Sequence, residues 1–320
     1  MISYIIRRLL YAVLIVILVS VTVFTLIRLL PGDPIEILVS QDIMQDAARD
    51  PEYYARLRSE YGLDKPIPIQ FINWFFKMLR GDFGKSIIRK FDILGEMKSR
   101  IVVTLSLGIV SFIISNVVGI LLGILSAIRR GKIVDTVVTV IANIGVTAPT
   151  FWIAILLIYF IGFKLKLLPL YGYTLPWKDF GTSVRQSIMP VFVMALGPIS
   201  MTCRQARSSI LEVLNQDHVR TAWSKGLTER KVIFRHVLKN GLMPVVTLQG
   251  TMIAMIFGGS AIVETIFVIP GMGKMMVDGM LSQDYPVVQV VTLMLTFVVV
   301  LANLLVDLMY GWIDPRIQYE

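Results

Sequence analysis

The sequence predicts an all-α, polytopic membrane protein with six transmembrane helices. Three observations support this fold class: 55% of the 320 residues are hydrophobic, only 17% are charged, and the mean hydropathy is +0.72. Soluble globular domains usually carry about 25% charged residues. The composition therefore excludes an ordinary soluble enzyme. It also excludes a disordered chain, because so apolar a sequence must bury its surface.

Six stretches are apolar and long enough to span a bilayer, for which a helix needs about 20 residues. The fourth contains Pro190 and the pair Gly197-Pro198, which predict an interrupted helix of the kind that neighbouring helices or a cavity stabilise. The six predicted spans are Leu9–Leu30, Ile101–Ile128, Val137–Phe163, Ile188–Cys203, Leu242–Val268 and Val287–Met309.

The first apolar run is predicted to be a retained membrane helix rather than a cleaved signal peptide. It follows Arg7 and Arg8 and continues to Leu30, which is longer than the core of a signal peptide. The residues after it, Pro31-Gly32-Asp33-Pro34, do not form a small-residue cleavage site. Residues 1–30 are therefore interpreted as an N-terminal tail and the first span.

Lysine and arginine residues in the short connections predict that both termini are cytoplasmic. With that orientation the cytoplasmic connections carry fourteen of these residues and the opposite short loops carry five. The chain then divides into the first span (1–30), an extracytoplasmic loop region (31–100), a core transmembrane domain (101–311) with a cytoplasmic loop (204–241), and a cytoplasmic tail (312–320). Because this topology accounts for the net charge of +9, we predict no nucleic-acid partner.

The extracytoplasmic loop region contains one aromatic segment with two open interpretations. The segment runs from Phe71 to Leu79 and includes Trp74, Phe75 and Phe76. It is either an interfacial helix whose aromatic side chains lie at headgroup depth, or a packed core helix of the loop itself.

The residue types needed for catalysis or metal binding do not occur in the required patterns. Cys203 is the one cysteine, and His218 and His236 are too far apart for a local metal motif. Gly84-Lys85-Ser86 lacks the glycine five positions earlier that a phosphate-binding loop requires, and Ser260 has no histidine within a span as its base. We therefore predict no catalytic residue, no metal and no cofactor bound by this chain.

The cytoplasmic segment from Arg204 to Pro244 contains the start and stop signals of two short helices. Asp217 is a predicted N-cap for a helix His218–Lys225, and Gly226 is a predicted left-handed C-cap. Thr228 then caps a second helix that runs to Asn240-Gly241. Ala222 and Gly226 lie four residues apart, so their small side chains predict a face that docks closely against a partner. A basic loop lying against lipid headgroups is the alternative.

The same residues carry a family resemblance. Asp217-His218-Val219-Arg220-Thr221-Ala222-Trp223-Ser224-Lys225-Gly226-Leu227, with His236, Asn240 and Pro244, resembles the coupling-loop signature of ABC-importer permeases. The sequence is most similar to the B-type permease of the oligopeptide, dipeptide and nickel branch. Further matching motifs are Leu30-Pro31-Gly32-Asp33-Pro34, Tyr61-Gly62-Leu63-Asp64, Arg80-Gly81-Asp82-Phe83-Gly84-Lys85-Ser86, Glu264-Thr265-Ile266-Phe267, Pro270-Gly271-Met272-Gly273, Asp284-Tyr285-Pro286 and Asp314-Pro315-Arg316.

The resemblance implies a type I ABC-importer permease in the cytoplasmic membrane of a prokaryote. Its implied partners are a second homologous permease, two cytoplasmic ATPases that bind ATP and Mg, an extracytoplasmic binding protein, a peptide substrate and membrane lipid. The implied ATPase-coupling residues are Asp217, Arg220, Thr221, Ala222, Lys225, Gly226 and Leu227, supported by His236, Asn240 and Pro244.

Two departures and two alternatives qualify this resemblance. Arg220-Thr221-Ala222 replaces the Glu-Ala-Ala of the general signature, and the interval from Gly226 to Pro244 is longer than in sugar permeases; both favour peptides over sugars. The same architecture importing nickel or another small solute stays open. An ion-coupled secondary transporter would be expected to show inverted repeats and intramembrane charges, and neither is found.

Glu264, near the outer end of the fifth span, either faces the translocation path or makes a structural hydrogen bond or salt bridge.

Overall fold

The computed structural model describes residues 2–29, 51–60 and 62–313. Within these ranges the chain is helical, apart from turns, connecting segments and one isolated antiparallel bridge between Lys85 and Asp92. The helices are α1 (Ile2–Leu29), α2 (Pro51–Glu60), α3 (Ile67–Leu79), α4 (Ile93–Ile128), α5 (Ile133–Thr147), α6 (Thr150–Leu157), α7 (Phe180–Leu214), α8 (Asp217–Ser224), α9 (Glu229–Val232), α10 (Leu238–Gly241), α11 (Met243–Thr247), α12 (Gln249–Ile266), α13 (Met272–Leu281) and α14 (Tyr285–Ile313). Segments of π-helix, Ile158–Lys164 and Ile233–Val237, continue α6 and α9.

The predicted six-span fold class is confirmed. Five helices (α1, α4, α7, α12 and α14) are long and apolar enough to cross a membrane. The bent pair formed by α5 with α6 and its π-helical continuation supplies the sixth. The predicted motifs at Leu30–Pro34, Tyr61 and Asp314–Arg316 lie outside the described residues.

The span predicted over Val137–Phe163 is bent and consists of two helices, which the sequence analysis did not predict. The two halves, Ile133–Thr147 and Thr150–Lys164, meet at an angle of 105°. Ala148, at the bend, has extended dihedral angles (φ −71°, ψ 128°). Pro149 follows it, and a proline ring disfavours helical geometry in the preceding residue. The sequence Ala148-Pro149 therefore ends α5 and begins a new helix.

The fourth span is a continuous helix, and the interruption predicted there was also wrong. Pro190 and Pro198 both lie inside the 35-residue helix α7 and are buried. Each proline removes one backbone hydrogen bond. Membrane helices tolerate this where packing against neighbouring helices compensates for the loss. The same residue type thus ends α5 but not α7.

The chain forms two compact units. One joins Met1–Val103 with Pro270–Leu301. Its core contains side chains of α4, α13 and α14, namely Ile93, Met97, Met272, Met275, Val287, Val290 and Val291. A second buried contact in this unit joins the Ser86 hydroxyl to the carboxylate of Asp284, which also accepts from the backbone N–H of Ile87 at 3.2 Å.

The aromatic helix α3 also belongs to this unit. Phe71 and Trp74 pack against Phe24 of α1, with ring centroids 5.4 and 5.5 Å apart. Ile72 and Phe76 on α3 are exposed. The helix therefore has one packed and one exposed apolar face, so it combines features of both sequence interpretations.

The other compact unit joins Thr104–Ile269 with Ala302–Glu320. Glycines bring α4 and α7 into backbone contact in this unit. A Cβ atom placed on Gly123 would lie 2.6 Å from the Cβ of Ala206, and one on Gly119 would lie 2.8 Å from the Cβ of Thr202. Such close approach is typical of helix interfaces in membranes. The two helices are therefore packed too tightly to accept even an alanine at either glycine without moving apart.

Candidate functional site

The loop predicted over residues 204–241 begins later than expected. Residues 204–214 continue α7, so the helix extends eleven residues beyond the predicted span Ile188–Cys203. The chain leaves α7 at Asn215 and Gln216 and enters α8 at Asp217. Ser209 has a buried hydroxyl that bonds to the carbonyl of Gln205, so this stretch is regular packed helix. The separate loop structure is therefore residues 215–241.

Helix α8 starts one residue earlier than predicted. Gln216 occupies the N-cap position with extended dihedral angles and no side-chain cap, so the assignment of Asp217 as N-cap was wrong. Asp217 is the first helical residue, where a carboxylate interacts favourably with the positive end of the helix dipole. Its carboxylate lies 3.7 Å from the Arg220 guanidinium, and both side chains are largely exposed.

Helix α8 ends in a glycine turn, as the sequence predicts. Gly226 has a left-handed backbone (φ +72°). Its N–H donates to the carbonyl of Trp223 at 2.9 Å, and the N–H of Leu227 donates to the carbonyl of Ala222 at 3.4 Å. These two bonds form a Schellman motif, and the half-buried Leu227 packs against the cluster that contains Ala222. The corner is therefore fixed by backbone bonds and by an apolar contact.

The second helix of the loop begins after Thr228, as predicted, but Thr228 makes no side-chain cap. It runs as α9, a π-helical segment and α10, reaching Gly241. His236 is half-buried, and its carbonyl lies 3.5 Å from the side-chain amide of the exposed Asn240. Pro244 is exposed in α11.

One face of α8 is buried in the chain itself. Val219 and Ala222 are 0% and 5% exposed. They share a core with residues of α4, α7, α9, the π-helical segment and α11: Ala127, Ala206, Ile210, Val213, Val232, Val237 and Val245. The expected close approach of Ala222 to a partner stays a prediction, and the contacts that the described residues show for Ala222 are internal. The small side chain lets α8 pack closely on its own chain.

The outward face of α8 combines polar and aromatic groups. Asp217, Arg220, Thr221 and Lys225 are all exposed, as surface contacts would require. Sequence reasoning gave no role to two aromatic residues of the same loop, Trp223 (44% exposed) and Phe234 (65% exposed). The signal available in the sequence was the presence of large aromatic side chains in an otherwise basic loop. Exposed aromatics of this kind are typical anchors of protein interfaces.

A buried ion pair links three helices next to this loop, and the sequence analysis missed it. Asp135 of α5 is 5% exposed. Its carboxylate accepts from the Arg207 guanidinium of α7 at 2.7 and 2.9 Å, and from the Ser126 hydroxyl of α4 at 2.5 Å. The backbone N–H of Gly131 adds a bond of 2.9 Å. Because each oxygen is satisfied, the network holds α4, α5 and α7 in one arrangement.

Glu264 lies in the protein interior. Its side chain is 0% exposed and accepts a hydrogen bond of 2.6 Å from the Thr104 hydroxyl. Its backbone carbonyl accepts from the N–H of Ile269 at 2.8 Å. Of the two roles left open by the sequence, this geometry matches the structural hydrogen bond.

A comparison with protein-family models places the whole loop inside one matched region. The model of the binding-protein-dependent transport system inner membrane component matches residues 119–319. The model of the N-terminal part of such membrane components matches residues 1–108. This chain belongs to that family.

Curated relatives of this transport-system membrane component match over the full length. The probable peptide ABC transporter permease protein y4tP of Sinorhizobium fredii is 36% identical over 316 residues, covering 99% of each chain. The oligopeptide transport system permease protein AppB of Bacillus subtilis is 37% identical over 322 residues, and a putative peptide transport system permease of Brucella abortus is 37% identical over 321 residues. Both matches cover 100% of each chain.

The fold of this transport-system membrane component also occurs in a solved transporter. A chain of the inward-facing MetNI methionine ABC transporter superimposes with a TM-score of 0.57 at 18% identity. The match covers 69% of this chain and 97% of the MetNI chain. A second crystal form of MetNI gives a TM-score of 0.58. The similarity supports the type I importer fold.

Proposed function

We propose that this chain is one permease subunit of an ATP-driven importer of peptides. The observation that carries the proposal is the exposed helix α8, fixed by its Gly226 turn, in a chain whose full-length relatives are named peptide permeases. Two copies of such a fold, this chain and a homologous permease, enclose the path between them. A binding protein delivers the peptide on the extracytoplasmic side.

Helix α8 acts as the coupling helix, seated in a cytoplasmic ATPase. Its buried residues Val219 and Ala222 share one core with Ala206 of α7 and Ala127 of α4. Close-packed interiors transmit displacement with little compression. Closure of two ATPases on ATP therefore moves α8 and the spans beneath it together. This movement switches access across the membrane.

The contacts to the ATPase come from the outward face. Arg220 and Lys225 supply positive charges for acidic groups, and Trp223 and Phe234 supply apolar anchors. ATP and Mg bind to the ATPases, and this chain binds no cofactor. The loop lies on the cytoplasmic side of the cytoplasmic membrane of a prokaryote, with both termini on the same side, as the distribution of lysine and arginine favours.

A mild-detergent pull-down of the chain from its native membrane tests the assembly. We expect a second multispanning permease and one or two soluble ATPases to co-purify, identified by mass. Trp223→Ala should lower the yield of ATPase. Trp177→Ala is the matched control, since Trp177 is an exposed tryptophan outside the coupling loop. Recovery of the chain alone, under conditions that keep other membrane complexes intact, would favour a self-powered transporter.

Uptake by the reconstituted complex tests the substrate. ATP-driven accumulation of a labelled short peptide supports the proposal. Accumulation of nickel without any peptide uptake would instead indicate an importer of the same architecture whose substrate is a metal.

A further inference from the structure

A recess of about 580 Å³ lies beside α5 and α7, and the coupling loop does not account for it. Its volume falls within the range of about 300–1,000 Å³ that small-molecule sites occupy. The recess lies within one compact unit of the chain, Thr104–Ile269 with Ala302–Glu320. Its polar lining comes from Thr139, Asn143, Arg204, Gln205, Arg207 and Ser208.

The polar side chains of the recess form two stripes. On α7, Arg204, Gln205 and Ser208 fall on one helix face, and on α5, Thr139 and Asn143 are four residues apart. Asn143, Arg204 and Ser208 are exposed. The orientation predicted from lysine and arginine places Arg204 and the residues after it on the cytoplasmic side, so the recess lies at the cytoplasmic end of α7. The recess is therefore expected to be aqueous.

The two arginines of the recess differ in their charge balance. Arg207 is neutralised by the carboxylate of Asp135, at 2.7 and 2.9 Å. Arg204 has no ion-pair or side-chain hydrogen-bond partner within residues 2–29, 51–60 and 62–313. The described lining contains no aspartate or glutamate. The recess thus presents one uncompensated positive charge among neutral hydrogen-bonding groups, which is a setting for a carboxylate.

We propose that the recess is a transient binding site on the peptide translocation path and that Arg204 binds the C-terminal carboxylate of the peptide there. This inference rests on the proposed function. Every unmodified linear peptide carries that carboxylate whatever its sequence, so the contact serves a pathway that accepts many side chains. The exposure of Arg204 keeps the contact weak enough for release.

Paired substrates test the contact. The complex is reconstituted with ATP and its binding protein, and uptake of a labelled trialanine is compared with uptake of its C-terminal amide. Arg204→Gln should lower the ratio of acid to amide uptake about two- to fivefold, which is the range an exposed ion pair supports. Arg204→Lys should restore most of the ratio. Any preference of the binding protein cancels, because it is the same in each variant.

Arg130→Gln is the control, since Arg130 is an exposed cation that does not line the recess. An acid-to-amide ratio unchanged by Arg204→Gln would overturn the inference. Equal loss of both peptides, dependent on adding phosphatidylglycerol to phosphatidylcholine vesicles, would assign Arg204 to a lipid phosphate and also overturn it. If the wild type takes up neither peptide while its ATPase is active, the proposed function itself fails.

Discussion

Replacing Gly226 by valine should uncouple ATP hydrolysis from transport. The backbone there is left-handed (φ +72°), and no heavy atom lies within 4 Å of an added Cβ. The cost is therefore backbone strain alone, about 1–2 kcal/mol for a residue with a side chain. A strain of that size lowers the equilibrium ratio of the hydrogen-bonded turn to the unformed turn roughly 5- to 30-fold. Asparagine tolerates this conformation better, so Gly226→Asn should have a smaller effect.

The assay is peptide taken up per ATP hydrolysed, measured in vesicles after equal insertion of each variant has been verified. Gly81→Val is the matched control. Gly81 ends α3 with φ +84° and the same two bonds, from Gly81 N–H to Met78 and from Asp82 N–H to Lys77, at 2.9 and 3.0 Å. Gly81→Val should leave the amount of peptide taken up per ATP hydrolysed near the wild-type value. Normal ATP-driven uptake by Gly226→Val would refute the assignment of the corner.

Changes at three further sites test two buried hydrogen-bonded groups and one exposed helix cap. Asp135→Asn leaves the Arg207 guanidinium without its anion and should destabilise the chain by about 3 kcal/mol, measured as a lower Tm of the purified protein. A double variant that also carries Arg207→Met should regain part of the lost stability. Glu264→Gln keeps the oxygen that accepts from Thr104 and should retain the wild-type Tm, whereas Glu264→Ala should lower the Tm. Loss of uptake by Glu264→Gln at an unchanged Tm would contradict the structural role. The hydroxyl and backbone N–H of Thr182 hold the pKa of Asp179 below its usual range, so the ionised cap stabilises α7 at neutral pH, and this stabilisation is lost as the pH falls through the folded-state pKa. Thr182→Ala should move that loss to higher pH in a helicity titration.

The sequence predicted the features that depend on local patterns. Apolar length placed the six spans, and one glycine between two short helical segments located the corner at Gly226. Proline was a poorer guide. Pro149 ends a helix, while Pro190 and Pro198 lie inside one, and the difference depends on packing that a sequence pattern does not contain.

The missed features join residues far apart in the chain. Asp135 and Arg207 are 72 positions apart, and nothing in either neighbourhood marks them as partners. The sequence alone did not reveal that Ala222 packs in a core formed by residues of its own chain. The polar groups of α5 and α7 form a recess only when the two helices lie side by side.

The 105° bend between α5 and α6 has a consequence for biogenesis. The run from Val137 to Phe163 is predominantly apolar, so the insertion machinery meets it as one hydrophobic segment. In the finished fold, Gly145 of α5 lies so close to Ser200 that an added Cβ would sit 2.1 Å from its hydroxyl oxygen. That contact requires α7, which is synthesised later. The break at Ala148-Pro149 is local and can form at once, whereas the docking of α5 against α7 can be completed only after the fourth span has arrived beside it.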